Sequence, residues 1–225
     1  YGSTYVIPHF LAIISDYNAL QTGLVIFWMG VPAFLLMPVL PFMIRRIHIR
    51  IAVGAGMFIM ALSCFVSINL TAESGGGVFT ESQFLRGIGM ILTMMFLNQA
   101  TVASVAKEDA GDASGIFNAA RNLGGSFALA GLASFQDQRL WHHSRRMEET
   151  LNANSPRLQE YLDTMTASLG NPQAALEMLS GIIQRDAFVM TYNDVFFAMG
   201  AITLVTVPLV LFLKPLPKNL SLSMH

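Results

Sequence analysis

Five apolar stretches, each twenty residues or longer, constrain this chain more than any other feature. They cover 21–43, 51–70, 82–104, 113–136 and 190–213, and between them hold three charged residues, Arg86, Arg121 and Asp194. The hydrocarbon core of a bilayer is about 30 Å thick and an α-helix rises about 1.5 Å per residue, so each stretch is long enough to cross. A soluble fold of 225 residues has too little polar surface to cover five such rods. The composition agrees: 12% of residues are charged and 53% hydrophobic, against about 25% charged in soluble domains. The chain reads as an all-α, polytopic transmembrane helix bundle in contact with the lipid bilayer.

The opening segment 1–14 (YGSTYVIPHFLAII) is apolar, lacks an initiator Met and is too short to span. It has neither the positive start nor the small-residue cleavage site of a secretory signal. It reads as the end of a sixth span, and the chain as a fragment. Net charge is −1, which offers no basic surface for nucleic acid. The single cysteine, Cys64, lies within an apolar stretch and has no intrachain partner for a disulfide.

Charge sorting gives the expected orientation. The link 44–50 carries Arg45, Arg46 and Arg50, the link 105–112 carries Lys107, and the tail 214–225 carries Lys214 and Lys218; the link 71–81 has no Lys or Arg. With five spans, the three basic segments fall on one face, which the positive-inside rule makes cytoplasmic. The long link 137–189 falls outside; its five arginines are no objection, since long loops translocate largely regardless of charge. The expected layout is therefore a membrane bundle over 1–136, an extracytoplasmic helical segment over 137–189, a last span over 190–213 and a cytoplasmic tail. Within the outer segment, Ser155-Pro156 reads as a helix start and Gly170 as its stop. Asn171-Pro172 repeats the start signal. Leu158, Tyr161, Leu162 and Met165, then Ala175, Leu176, Leu179, Ile182 and Ile183, recur at helical spacing. Two amphipathic helices follow, either as a solvated hairpin or as a docking surface.

An ionised group at mid-bilayer costs about 2.5–3.5 kcal/mol on insertion scales, so each needs a reason. Arg86 shares a helical face with Thr93, seven residues on; either the pair lines an inward stripe, or Arg86 snorkels outward or pairs with Glu81. Ser114, Asn118, Arg121 and Gly125 recur at i, i+4, i+7 and i+11 on one face, with Gly131 close to the same line. A cationic, amide-bearing, glycine-flanked stripe faces other helices or a watery path, as a pathway or as a structural clamp. Gly125 and Gly131 are the expected helix-packing positions. Asp194 stands about one turn inside its span, where it either works with protons or stays shallow and wet. Pro32, Pro38 and Pro41 should kink the first complete span. His142 and His143 lack metal-ligand spacing and read as surface residues. No P-loop, HExxH or GxSxG motif occurs, so no enzyme, cofactor or metal is expected.

Several ordered motifs resemble one family. Tyr1-Gly-Ser-Thr and Tyr17-Asn-Ala-Leu-Gln-Thr-Gly23 resemble the ninth and tenth spans of the EmrB/QacA family, the fourteen-span drug:proton antiporters of the major facilitator superfamily. Gln83-Phe-Leu-Arg-Gly-Ile-Gly89 and Ala113-Ser-Gly-Ile-Phe-Asn-Ala-Ala-Arg-Asn-Leu-Gly-Gly-Ser126 are similar to two later spans. Trp141-His-His-Ser144 with the loop helices resembles the large outer loop. Tyr192-Asn-Asp-Val-Phe-Phe197 and Lys214-Pro215 resemble the last span and tail.

The resemblance implies the C-terminal part of a major facilitator fold in a bacterial inner membrane, exporting hydrophobic or amphipathic compounds by proton antiport. It implies Arg121 and Asn118 lining or bracing the central cavity, with Arg86 and Asp194 towards its outer mouth; with Thr93 these are the candidates for the substrate or proton pathway. The implied partners are the missing N-terminal half and, in Gram-negative members, a periplasmic membrane-fusion adaptor and an outer-membrane channel. One departure stands out. The family's Gly…Asp-Arg…Asp-x-Arg latch reads here as Pro41-Phe-Met-Ile-Arg-Arg-Ile-His-Ile-Arg50, with Arg45 and His48 where acids are expected. That loop keeps a second reading open, a non-transporting scaffold or sensor that retains the fold.

Overall fold

The computed structural model describes residues 1–150 and 156–213, with every side chain among them except those of Arg45, Lys107, Thr150, Arg157 and Leu169. The described residues form α1 (Gly2–Ile14), α2 (Ala19–Leu36), α3 (Leu40–Arg46), α4 (Ile49–Val66), α5 (Phe79–Ala103), α6 (Ala110–Thr150), α7 (Pro156–Leu169) and α8 (Pro172–Thr206). Short 3-10 turns precede α5 and α6, and a 3-10 segment, Val207–Phe212, continues α8. No strand occurs among the described residues.

Local chemistry sets the helix ends. Asn18 starts α2 with a reciprocal cap: its side chain accepts from the Gln21 N–H at 3.0 Å, and its own N–H donates to Gln21 Oε1 at 2.9 Å. The three prolines act unequally. Pro32 is carried inside α2, whereas the chain breaks at 37–39 and restarts as α3 with Pro41 in its first turn. The expected kink is thus a helix break. Gly170, at φ +70°, ends α7 in a conformation glycine adopts without penalty. Asn171 then starts α8 by accepting from the Gln173 N–H at 2.9 Å. Ser155, Lys214 and Lys218 lie outside the described residues.

Two long helices cross the boundaries drawn from hydropathy. α6 runs 41 residues, through the expected break at 136, and α8 runs 35, through the expected break at 189. The second amphipathic outer helix and the last span are therefore one rod. Apolarity ends where the solvent changes; backbone hydrogen bonding continues.

α1 packs one face into the bundle. Val6, Ile7, Phe10, Leu11 and Ile14 are almost fully buried. Phe10 meets Phe79 and Tyr192 edge-on at 5.5 and 5.1 Å. A second core joins Ile49, Ala52 and Val53 of α4 to Leu92 and Phe96 of α5 and Val210. Close approach at glycine seats α5 between its neighbours. A Cβ on Gly89 would stand 2.6 Å from the Gly56 carbonyl oxygen of α4, and one on Gly87 would collide with the Met29 carbonyl of α2. Large apolar side chains such as Phe27, Phe34, Phe127, Val205 and Phe212 point outward, which is costly in water and comfortable in lipid.

Three helical segments, Ala19–Leu36, Ile49–Val66 and Pro172–Phe212, are long and apolar enough to cross a membrane; α1 is apolar but shorter. α5 and α6 are long enough too, but each carries a polar stripe that lowers its hydropathy. The links sort onto two faces. Arg50 Nε donates to the Leu213 carbonyl at 2.9 Å, which ties the basic 44–50 link to the end of the last helix. At the opposite end, Arg185 Nη2 donates to the carbonyls of Ile14 and Ala72, and the Asn193 amide pairs with both Leu70 N–H and Leu70 C=O.

Candidate functional site

The polar stripe of α5 faces inward. Arg86 is 4% exposed. Its Nη1 donates to Gln83 Oε1 at 2.8 Å, one turn earlier, and its Nη2 lies 4.0 Å from Cys64 Sγ on α4. It neither snorkels nor pairs with Glu81, which is exposed. Thr93 is buried on the same face, with its hydroxyl unpartnered among the described residues. A buried guanidinium with only a neutral amide and a thiol as partners keeps an uncompensated positive charge in the bundle.

α6 brings a second guanidinium towards the same region. Arg121 lies over the Tyr1 ring, 5.7 Å from its centroid, a cation–π distance. Its Nε is buried with no hydrogen-bond partner among the described residues. The Tyr1 hydroxyl donates to Asn122 Oδ1 at 2.8 Å. Gly125 lets the ring approach: a Cβ there would stand 2.6 Å from Tyr1 Cδ2. Among the described residues neither Arg86 nor Arg121 has an acidic partner. Asn118 is exposed, one turn from Arg121. Nothing lies within 4 Å of a Cβ on Gly131, so the close packing expected there is not made by the described residues.

Asp194 belongs to a separate cluster. Its Oδ2 accepts from Arg139 Nε at 2.7 Å, lies 2.6 Å from Arg139 Nη2, and meets His143 Nε2 at 2.6 Å. His143 is 7% exposed, so the reading of it as a surface residue is wrong. His142, next to it, is exposed. One turn inward along α6, Gln136 Nε2 lies 3.3 Å from His9 Nδ1, which also meets the buried Tyr192 hydroxyl at 2.7 Å. Two polar stations, His143–Asp194–Arg139 and His9–Tyr192–Gln136, therefore occupy the junction of α1, α6 and α8.

The model of one family, the Major Facilitator Superfamily, matches residues 1–129, more than half of the chain. The chain belongs to the Major Facilitator Superfamily. Superfamily membership and the apolar helices make it a membrane protein. Among its relatives, the colistin resistance protein EmrB of Acinetobacter baumannii is 27% identical over 218 residues, which is 95% of this chain and 43% of the relative. The multidrug export protein EmrB of Escherichia coli is 25% identical over 217 residues, 96% of this chain and 42% of the relative. The fatty acid resistance protein FarB of Neisseria gonorrhoeae is 21% identical over 214 residues, 95% of this chain and 42% of the relative. The chain spans less than half the length of these relatives.

Within this superfamily chain, the sequence singles out Arg86, Thr93, Arg121, Asn118 and Asp194 as candidates. It did not bring together His9, Gln136, Arg139, His143 and Tyr192, which the structure sets side by side. The signal was present. Gln136, Arg139 and His143 stand at i, i+3 and i+7, one helical face, but that face is divided if α6 is ended at 136.

Proposed function

We propose that this chain is the C-terminal membrane half of a secondary active exporter that moves hydrophobic or amphipathic compounds outward in exchange for protons. The observation that carries the reading is the buried Arg86 with the half-buried Arg121, both without acidic partners among the described residues. Charge of this kind inside a membrane bundle faces a pathway or a binding cavity by default. The relatives named for multidrug export, colistin resistance and fatty acid resistance support export as the activity and amphipathic molecules as the substrates.

In this reading Arg121 and Asn118 border the central cavity, Arg86 and Thr93 line its wall, and Asp194 stands near its outer mouth. Spans over 21–43, 51–70, 82–104, 113–136 and 190–213 hold the chain in a bacterial inner membrane. Segment 137–189 is extracytoplasmic and the tail 214–225 cytoplasmic. The N-terminal half of the same polypeptide completes the path, and a periplasmic adaptor with an outer-membrane channel carries the compound onward. No enzymatic step is involved.

The test is export by the complete polypeptide in an efflux-deficient host, with ethidium and anilinonaphthalene sulfonate as probes. Export that stops on adding a proton uncoupler supports the proposal. Absence of uncoupler-sensitive export across a broad panel of amphipathic compounds would overturn it in favour of a scaffold or sensor.

A further inference from the structure

The antiport reading leaves open where this half binds a proton, and the junction of α1, α6 and α8 holds groups with that chemistry. The outer station is His143–Asp194–Arg139. Asp194 and Arg139 are each about a third exposed at the side chain, whereas the His143 side chain is 8% exposed. All three nitrogen contacts fall on one carboxylate oxygen, Oδ2. Arg139 already balances the Asp194 charge, so His143 is free to be neutral without leaving a bare carboxylate. A proton added to the imidazole takes the cluster from no net charge to one positive charge. The buried His143 ring feels such a change more than the partly exposed Asp194 and Arg139 do.

The inner station is built to hold either state of His9. In the Nε2–H tautomer of neutral His9, Nδ1 offers one lone pair, and two donors face it: the Tyr192 hydroxyl at 2.7 Å and Gln136 Nε2 at 3.3 Å. When Nδ1 carries a proton it donates instead, and the Tyr192 hydroxyl oxygen, at the same 2.7 Å, is one acceptor. Gln136 Oε1 is buried and has no partner among the described residues; a half-turn of the amide brings it to the ring. An orphaned buried acceptor is costly, and here it sits where a protonated His9 would use it. The charged and titratable groups around the two stations are Arg139 and His143 from α6, with the His142 ring edge-on to His143 at 5.6 Å, Asp194 and Tyr192 from α8, and His9 with the stacked Tyr5 from α1.

We infer that His143 with Asp194, and His9 with Tyr192 and Gln136, form a two-station proton-binding site between α1, α6 and α8, separate from the Arg86–Arg121 interior. Arg139 and Gln136 position the groups that take the proton. A proton arrives at the wetter Asp194–His143 station and is held again at His9, one turn deeper. Because α6 and α8 are held together through Asp194 and the α1 junction through His9, the protonation state biases how these helices pack.

This inference rests on the antiport reading, and one experiment separates the two. The complete polypeptide is reconstituted in proteoliposomes with ethidium and with anilinonaphthalene sulfonate as probes. Two rates are measured: export driven by a pH gradient, and exchange with probe at equal concentration on both sides. His143→Gln keeps a hydrogen-bonding group beside Asp194 but removes the titratable ring. The expected result is exchange within about twofold of the parent and gradient-driven export lowered about tenfold, an ordinary coupling between two sites. His9→Gln gives an independent reading with the same expectation, and serves alone if His143→Gln does not reach the membrane. Unchanged gradient-driven export in both variants overturns the inference, and so does an equal fall in both rates, which would make the histidines purely structural. If the parent itself shows no response to a pH gradient, the antiport reading fails first and takes this site with it.

Discussion

Replacing Gly89 with alanine tests the packing that seats Arg86. A Cβ at Gly89 would stand 2.6 Å from the Gly56 carbonyl oxygen, 2.6 Å from Met60 Cγ and 2.9 Å from Met60 N, where ordinary contact begins at 3.4 Å. Two of these three neighbours are α4 backbone, so a rotamer change cannot relieve them; α4 and α5 must part by about 0.8 Å, the gap between 2.6 and 3.4 Å. Overpacking of this sort costs about 1–3 kcal/mol. Alanine also favours a helix over glycine by about 0.8–1 kcal/mol, which works the other way. Gly131→Ala is the control, because a Cβ there meets nothing within 4 Å. The propensity gain cancels between the two variants, leaving Gly89→Ala less stable than Gly131→Ala by about 2 kcal/mol. For a chain of this size the two melting temperatures should differ by about 4–8 °C. The assay is thermal unfolding of the purified protein in one detergent. Coincident melting curves would refute the close α4–α5 crossing, and with it the burial of Arg86.

Two further predictions concern named contacts. Asn193→Ala removes both the acceptor for the Leu70 N–H and the donor to the Leu70 carbonyl. It should cost about 1–3 kcal/mol in the same melt, since two partly buried backbone groups lose their partner; an unchanged melt would mean the amide pairing is not formed. Cys64 is buried beside Arg86, so a polar maleimide should label it far more slowly in folded than in SDS-unfolded protein. Arg86→Ala should speed labelling of the folded form, and equal rates folded and unfolded would contradict the burial.

Much of this fold was legible because lipid imposes a simple demand: an apolar rod of fixed minimum length. Where that demand acted alone, as in α4, the span and the helix agree to within a few residues. Where it did not, hydropathy marked the wrong object. The apolar run before Gln136 and the one after Val189 are parts of α6 and α8, and neither helix stops there. The same error hid half of the polar site. Arg139 and His143 read as loop residues, and only a continuous α6 sets them against Asp194. Gly170, Asn171 and Pro172 were readable because capping is local chemistry. The partners of Arg86 were not, because Cys64 lies 22 residues away on another helix, and a stripe records only which residues share a face.

The most direct test of the account is export by the complete polypeptide carrying Arg121→Ala, measured per molecule inserted in the membrane. Arg121 is half-buried, with its Nε buried and unpartnered among the described residues. Hydrogen bonds to a charged group contribute about 1.5–3 kcal/mol, so loss of one to a passing substrate should lower export by about tenfold to 150-fold. Export at the parental rate, with the same amount of protein in the membrane, would show that Arg121 does not face the path.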